Sequence, residues 1–205
     1  MSEEAGGWTR GLRKRGVAGS ARLLATMAFV ALLVWIAEPT AVSVGVGAVL
    51  VALGETWRVW SAGHLLKSRE LAVSGPYRHV QNPLYFGRLC IFSGFALMAR
   101  LPLEWGGRVL PAHLVVLAGV LLVFFAYYLP RKVRVEGERL QRRHGEAWEA
   151  WSAAVPVVFP RVRPYGRNVR GWDAVRFAEN GELWMAVAVA SVTLAFAWKA
   201  GLLGA

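Results

Sequence analysis

The sequence is poor in the residues from which metal centres and cross-linked secreted domains are built. Its 205 residues contain one cysteine, Cys90, so a disulfide framework is excluded and no Cys/His cluster has zinc-type spacing. No phosphate-binding P-loop is present either. Acidic residues are scarce, 13 against 24 lysines and arginines, for a net charge of +11. Such a balance would suit a nucleic-acid binder, but the mean hydropathy of +0.39 is high for a soluble one. The basic residues also collect in blocks between apolar runs, which is how membrane topology is written. The expected partner is therefore the lipid bilayer, with neither nucleic acid nor a metal ion. A signal peptide is not expected, because "MSEEAGGWTRGLRKRG" is too polar and too long, and no clear cleavage site follows it.

What the chain does have is apolar length. Five segments stand out: residues 17–37, 40–60, 84–103, 109–129 and 183–203. Each approaches the ~20 residues that an α-helix needs to cross about 30 Å of hydrocarbon. Lipid forbids open sheet edges, so the expected fold class is all-α. The architecture expected is an integral membrane bundle of about five transmembrane helices, in a single domain over residues 1–205. "RGLRKR" precedes the first segment, Arg58, Lys67, Arg69, Arg78 and Arg88 surround the loop after the second, and "EPT" between the first two carries no basic residue. This asymmetry predicts a cytoplasmic N-terminus, a cytoplasmic loop at residues 61–83 and a cytoplasmic 131–182 region. A bacterial inner membrane is the simplest setting. Beyond the fourth span, residues 131–154 read as an amphipathic helix stopped by Pro156. Val133, Leu140, His144, Trp148 and Trp151 fall near one face, which predicts a helix lying on the membrane surface.

Charged groups inside such spans usually face a polar cavity or one another. Glu55 and Arg58 are three residues apart on one helix and can pair. Arg88 lies one turn into the third span. The glycines of "VSVGVGAVLVALGE" sit within an apolar helix, where Ser43 and Gly47 suit close helix packing better than a nucleotide-binding turn. The loop "GPYRHVQNPLY", residues 75–85, holds more ring-bearing and hydrogen-bonding groups than a connector needs. Gly75-Pro76 makes a turn, and Asn82-Pro83 reads as an N-cap followed by proline at the first helical position. Tyr77, Arg78, His79 and Tyr85 have no such explanation and point to a polar pocket at the membrane face.

Two motifs carry a resemblance. "LAVSGPYRHVQNPLYFG" and "EGERLQRRHGEAWEAWSAAVPVVFP" together resemble the paired signatures of the isoprenylcysteine carboxyl methyltransferase and phospholipid methyltransferase superfamily, over a core of about residues 54–161. Glu136, Leu140, Gly145, Val155 and Pro156 match the second signature, with Trp148 and Trp151 in place of its tyrosines. The resemblance implies a membrane-embedded methyltransferase that uses S-adenosylmethionine without a soluble Rossmann domain. It implies a cofactor site formed by Leu71, Val73, Gly75, Tyr77, Asn82, Tyr85 and Glu136. Glu136, Glu138 and Arg88 are candidate catalytic residues, with His79 a further base, and Glu55 and Arg58 are candidate substrate contacts. The acceptor is open: a carboxylate, an amine or a thiol on a lipophilic or small molecule. Gln81 stands where the family usually has arginine, and Gly137 leaves one carboxylate of the usual acidic pair, which weighs against a prenylcysteine substrate. An NADPH-dependent reductase of the sterol type and a non-enzymatic membrane scaffold are the alternatives.

Overall fold

Long apolar helices dominate the computed structural model, which describes residues 17–65, 70–105 and 107–204. The described residues up to Ala37 form one unit and those from Glu38 onward a second. Helix α1 (Val17–Ile36) belongs to the first; its side chains at Leu24, Met27, Phe29 and Leu32 are exposed apolar groups. The second unit contains α2 (Ala41–Ala62), a 3-10 turn (Gly75–Arg78), α3 (Pro83–Ala99), α4 (Ala112–Val123) and a π-helical turn (Phe124–Tyr128). It continues with α5 (Leu129–His144), α6 (Glu146–Ala154), α7 (Ala174–Glu179) and α8 (Glu182–Lys199). Among the described residues three helices are long and apolar enough to cross a bilayer: Ala41–Ala62, the continuous Ala112–His144 and Glu182–Lys199. Pro83–Ala99 and Met27–Ile36 are shorter apolar helices.

Helix α2 shows why these elements pack as they do. Thr40 caps it, accepting from the Ser43 amide at 3.2 Å while Ser43 Oγ accepts from the Thr40 amide at 2.9 Å. Val44, Gly47, Val51, Gly54, Arg58 and Ser61 are buried, at steps of three and four, while Val42, Val46, Val49 and Leu53 on the other face are exposed. In water so long an apolar stripe would aggregate; in lipid it is the outer surface. The buried seam meets α3 through paired glycines, Gly47 against Gly94 and Gly54 against Gly87, where an added Cβ would overlap the facing carbonyl. Without a hydrophobic drive between helices in lipid, this close approach supplies the van der Waals attraction. Gly94→Val is expected to cost at least about 1–3 kcal/mol by overpacking. Thermal melting in detergent checks this, with Gly119→Val, whose site has nothing within 4 Å, as the silent control.

The residue 100–111 connection is more regular than a loop. Arg100 ends α3 in the left-handed region, and β1 (Pro102–Trp105) pairs antiparallel with β2 (Arg108–Pro111). This two-stranded hairpin qualifies the all-helical expectation without changing the bundle.

The fourth apolar segment and the amphipathic one form one helix of 33 residues, Ala112–His144, about 50 Å long at 1.5 Å per residue. Pro130 explains the π turn inside it. Proline has no amide to give the carbonyl four residues back and its ring crowds that carbonyl, so the preceding turn widens and the Leu129 amide reaches back to Phe124 O. The helix breaks at Gly145, whose φ of 51° and ψ of −127° lie outside the range of other residues. Helix α6 then runs to Ala154, ahead of Pro156 as expected.

Candidate functional site

A cavity of about 240 Å³ lies between the residue 65–85 loop, the start of α3, and α5 and α6. Leu71, Tyr77, Asn82 and Tyr85 line it from one side, and Glu136, Gly137 and Arg139 from the other. The five residues read as the apolar face of a surface helix, Val133, Leu140, His144, Trp148 and Trp151, all line this cavity as well. That face covers a pocket within the protein, which corrects its assignment to the membrane surface. Amphipathic spacing records that a face is covered, not by what.

The loop is held by the chain that follows α6. Gln81 and Asn82 amides donate to the carbonyls of Pro156 and Val157 at 2.8 and 3.2 Å, and Arg161 and Tyr165 amides donate to those of His79 and Arg78 at 2.9 Å each. Side chains add to this zipper. Gln81 Nε2 donates to the carbonyls of Ser152 and Val155 at 2.8 and 2.6 Å, and Trp151 Nε1 to that of Tyr77 at 3.0 Å. Arg78 donates to the Tyr165 carbonyl at 2.8 Å and to that of Gly166. His79 Nδ1 is 2.8 Å from the Arg161 carbonyl, so His79 braces the loop and does not line the cavity. Asn82 also differs from expectation. It occupies the N-cap position ahead of Pro83, but its side chain makes no cap; Nδ2 donates to Val157 O at 3.0 Å.

At the centre of the cavity wall, Tyr85 Oη donates to Glu136 Oε1 at 2.7 Å, with Lys132 Nζ 3.7 Å from the same oxygen. Tyr128, a residue that no sequence motif singled out, stands edge-on to Tyr85 with centroids 5.5 Å apart. Arg88 donates to Tyr128 Oη at 2.9 Å and its Cζ lies 5.7 Å from the Tyr85 ring centre. Burial, reinforced by the negative Glu182 and Glu136, holds the Tyr77 phenol well above its usual range, so it is neutral.

Arg88 and Tyr128 adjoin Tyr85 but are not among the residues lining the cavity, and the remaining candidates lie elsewhere. Val73 faces a smaller cavity of about 80 Å³ with His64, Ser74, Val169 and Arg170. The Gly75 amide donates to Asn168 Oδ1 at 3.0 Å. Neither residue lines the larger cavity, contrary to the expected Leu71–Val73–Gly75 row. Glu138 is exposed and pairs with Arg142 at 3.8 Å. Arg58 is 1% exposed and binds Glu182 across the interface with α8, with Glu55 at 3.7 Å. These charges join α2 to α8 and are not among the residues lining the cavity.

His64 carries a pH dependence. It is buried, with Nδ1 3.3 Å from Ser74 Oγ, and burial together with Arg176 lowers its pKa below 6.5. The neutral form is therefore preferred on folding, so the associated stability is complete above about pH 6.5 and is lost as pH falls toward the folded value. Melting between pH 8 and 5 is expected to show this loss, reduced in His64→Asn.

A helical bundle with apolar outer faces and a polar, aromatic-lined cavity beside one end of α3 defines a membrane protein with a small-molecule site. The family model described as phospholipid methyltransferase matches residues 42–146, just over half of the chain. The chain belongs to the phospholipid methyltransferase family, and so to the membrane methyltransferases. The match takes in the loop, α3 and α5, hence every cavity element except most of α6. No curated protein and no solved structure matches the chain significantly.

Proposed function

We propose that the protein transfers a methyl group from S-adenosylmethionine to a lipophilic acceptor in the cavity bounded by Tyr85 and Glu136. The observation that carries this reading is the Tyr85–Glu136 pair, which joins the two motifs across one cavity at 2.7 Å. The donor set suits such a cofactor: a carboxylate for an ammonium group, aromatic rings at Tyr77, Tyr85, Trp148 and Trp151 for a sulfonium and a purine, and Arg139 for a carboxylate. Its volume of about 240 Å³ is just under the ~300 Å³ at which ligand sites begin. The exposed Arg139 and Arg143 at its wall are the side chains able to yield room.

Bound S-adenosylmethionine would supply an electrophilic methyl carried on a positive sulfur. The chain's own work is then to orient and to dry. Gln81 and the 155–165 segment fix the loop, Trp148 and Trp151 exclude water, and Tyr85 directs Glu136. Glu136 binds the cofactor ammonium or takes a proton from an amine or thiol acceptor. Charge asymmetry in the sequence supports a cytoplasmic cavity and N-terminus. Incubating the purified protein in lipid with S-adenosylmethionine labelled in its methyl group tests the activity. Label in the lipid extract supports it; none with a folded protein across phospholipid, fatty-acid and thiol acceptors overturns it.

A further inference from the structure

The apolar helices α2 and α3 each carry an arginine near the loop that joins them, Arg58 and Arg88, and their surroundings differ. Arg58 has two carboxylates, Glu182 and Glu55. Arg88 has none: among the described residues no carboxylate comes within 4 Å of it. Its partners are the Tyr128 hydroxyl at 2.9 Å and the ring of Tyr85 at 5.7 Å. A hydroxyl and a ring face orient a guanidinium without neutralising it, and an uncompensated charge in an apolar span marks a place where an anion arrives. Five N–H donors serve this cation, and one of its nitrogens is committed to Tyr128. The rest of the fork matches two oxygens of a phosphate or carboxylate.

We infer that Arg88, oriented by Tyr128, is the anion site for the acceptor, binding a phosphate or carboxylate group carried on a lipid. The acceptor role rests on the methyltransferase reading; the anion site does not. Tyr85 stands between the two charges, its hydroxyl on Glu136 and its ring on Arg88. The single Tyr85 side chain therefore separates an anion held at Arg88 from Glu136 in the cavity wall. Arg58, the expected substrate contact, is not free for this role, because Glu182 and Glu55 already neutralise it. Specificity follows: a neutral lipid leaves Arg88 unpaired and binds poorly.

Equilibrium binding to the detergent-purified protein tests this, with radiolabelled dioleoylphosphatidate, oleate, dioleoylglycerol and inorganic phosphate as probes. Phosphatidate and oleate are expected to bind and compete, and dioleoylglycerol to bind at least tenfold more weakly. Arg88→Gln should weaken phosphatidate binding about 10–100-fold, the usual worth of a charged hydrogen-bonded pair. Arg88→Lys should recover part of this loss and Tyr128→Phe should show a smaller one, with melting temperatures establishing that each variant folds. Unchanged phosphatidate binding by a folded Arg88→Gln, or equal binding of dioleoylglycerol, overturns the site. Inorganic phosphate competing at phosphatidate concentrations overturns the lipid as its source. S-adenosylhomocysteine binding is measured alongside. Its absence from the wild type, with phosphatidate binding still dependent on Arg88, would remove the acceptor role and leave the anion site standing.

Discussion

Glu136→Gln is expected to lower the rate of methyl transfer by about 10²–10⁴-fold, the usual worth of a positioned acid–base group, while leaving the fold intact. The side chain is one-third exposed, so no buried charge is abandoned. Glutamine keeps the oxygen that accepts from Tyr85 at 2.7 Å, and it loses only the negative charge. A charge that binds the cofactor ammonium and one that takes a proton from the acceptor leave different traces. In the first case weakened S-adenosylhomocysteine binding accompanies the loss; in the second, binding survives and single-turnover rates fall. Tyr85→Phe should cost less, because the ring stays and only the hydroxyl that directs Glu136 is removed. Single-turnover rates with melting temperatures check both, and wild-type rates in a folded Glu136→Gln would remove Glu136 from the chemistry.

Glu182→Ala is expected to destabilise the protein by about 3–5 kcal/mol, the cost of breaking a buried ion pair from one side. Arg58 is 1% exposed, and its Nε and Nη1 already lack hydrogen-bond partners, as does Glu55 Oε1. Glu55 lies 3.7 Å away and cannot replace the direct bond that Glu182 accepts. Replacing both partners together, Arg58→Leu with Glu182→Leu, removes the desolvated charges along with the bond and should recover much of the loss. Thermal melts of Arg58→Leu, Glu182→Leu and the double variant measure this coupling. A single Glu182→Ala variant as stable as wild type would show that the pair contributes nothing.

How these two carboxylates would divide the work was only half legible in the sequence. The motif around Glu136 announced itself, because a loop and a helix of known pairing lie next to apolar spans. Glu182 could not be found, since it meets Arg58 from 124 positions away and nothing in local spacing encodes that distance. Gln81 is similar: as a residue it looked like a departure, whereas its amide braces two carbonyls near the end of α6. Tyr128 is not legible in the sequence, because its position depends on the widened turn that Pro130 imposes. The spacing of Val133 through Trp151 shows that the face is covered, but periodicity does not name the covering surface, which here is the cavity wall and not lipid. Apolar length and the small pair Ser43 and Gly47, by contrast, carry much of the bundle: Gly47 meets Gly94 and Ser43 reaches the Met98 carbonyl of α3, whereas the facing pair Gly54 and Gly87 emerges only in the structure.

S-adenosylmethionine in the Tyr85–Glu136 cavity is the proposal on which the methyl-transfer reading depends. Calorimetric titration of S-adenosylhomocysteine into the detergent-purified protein tests it most directly, beside a Tyr85→Ala, Glu136→Ala double variant and an NADPH control. Micromolar binding by the wild type is expected, lost in the double variant, with no response to NADPH. A folded wild-type protein that gives no heat with S-adenosylhomocysteine, or binds it equally well without Tyr85 and Glu136, would contradict it.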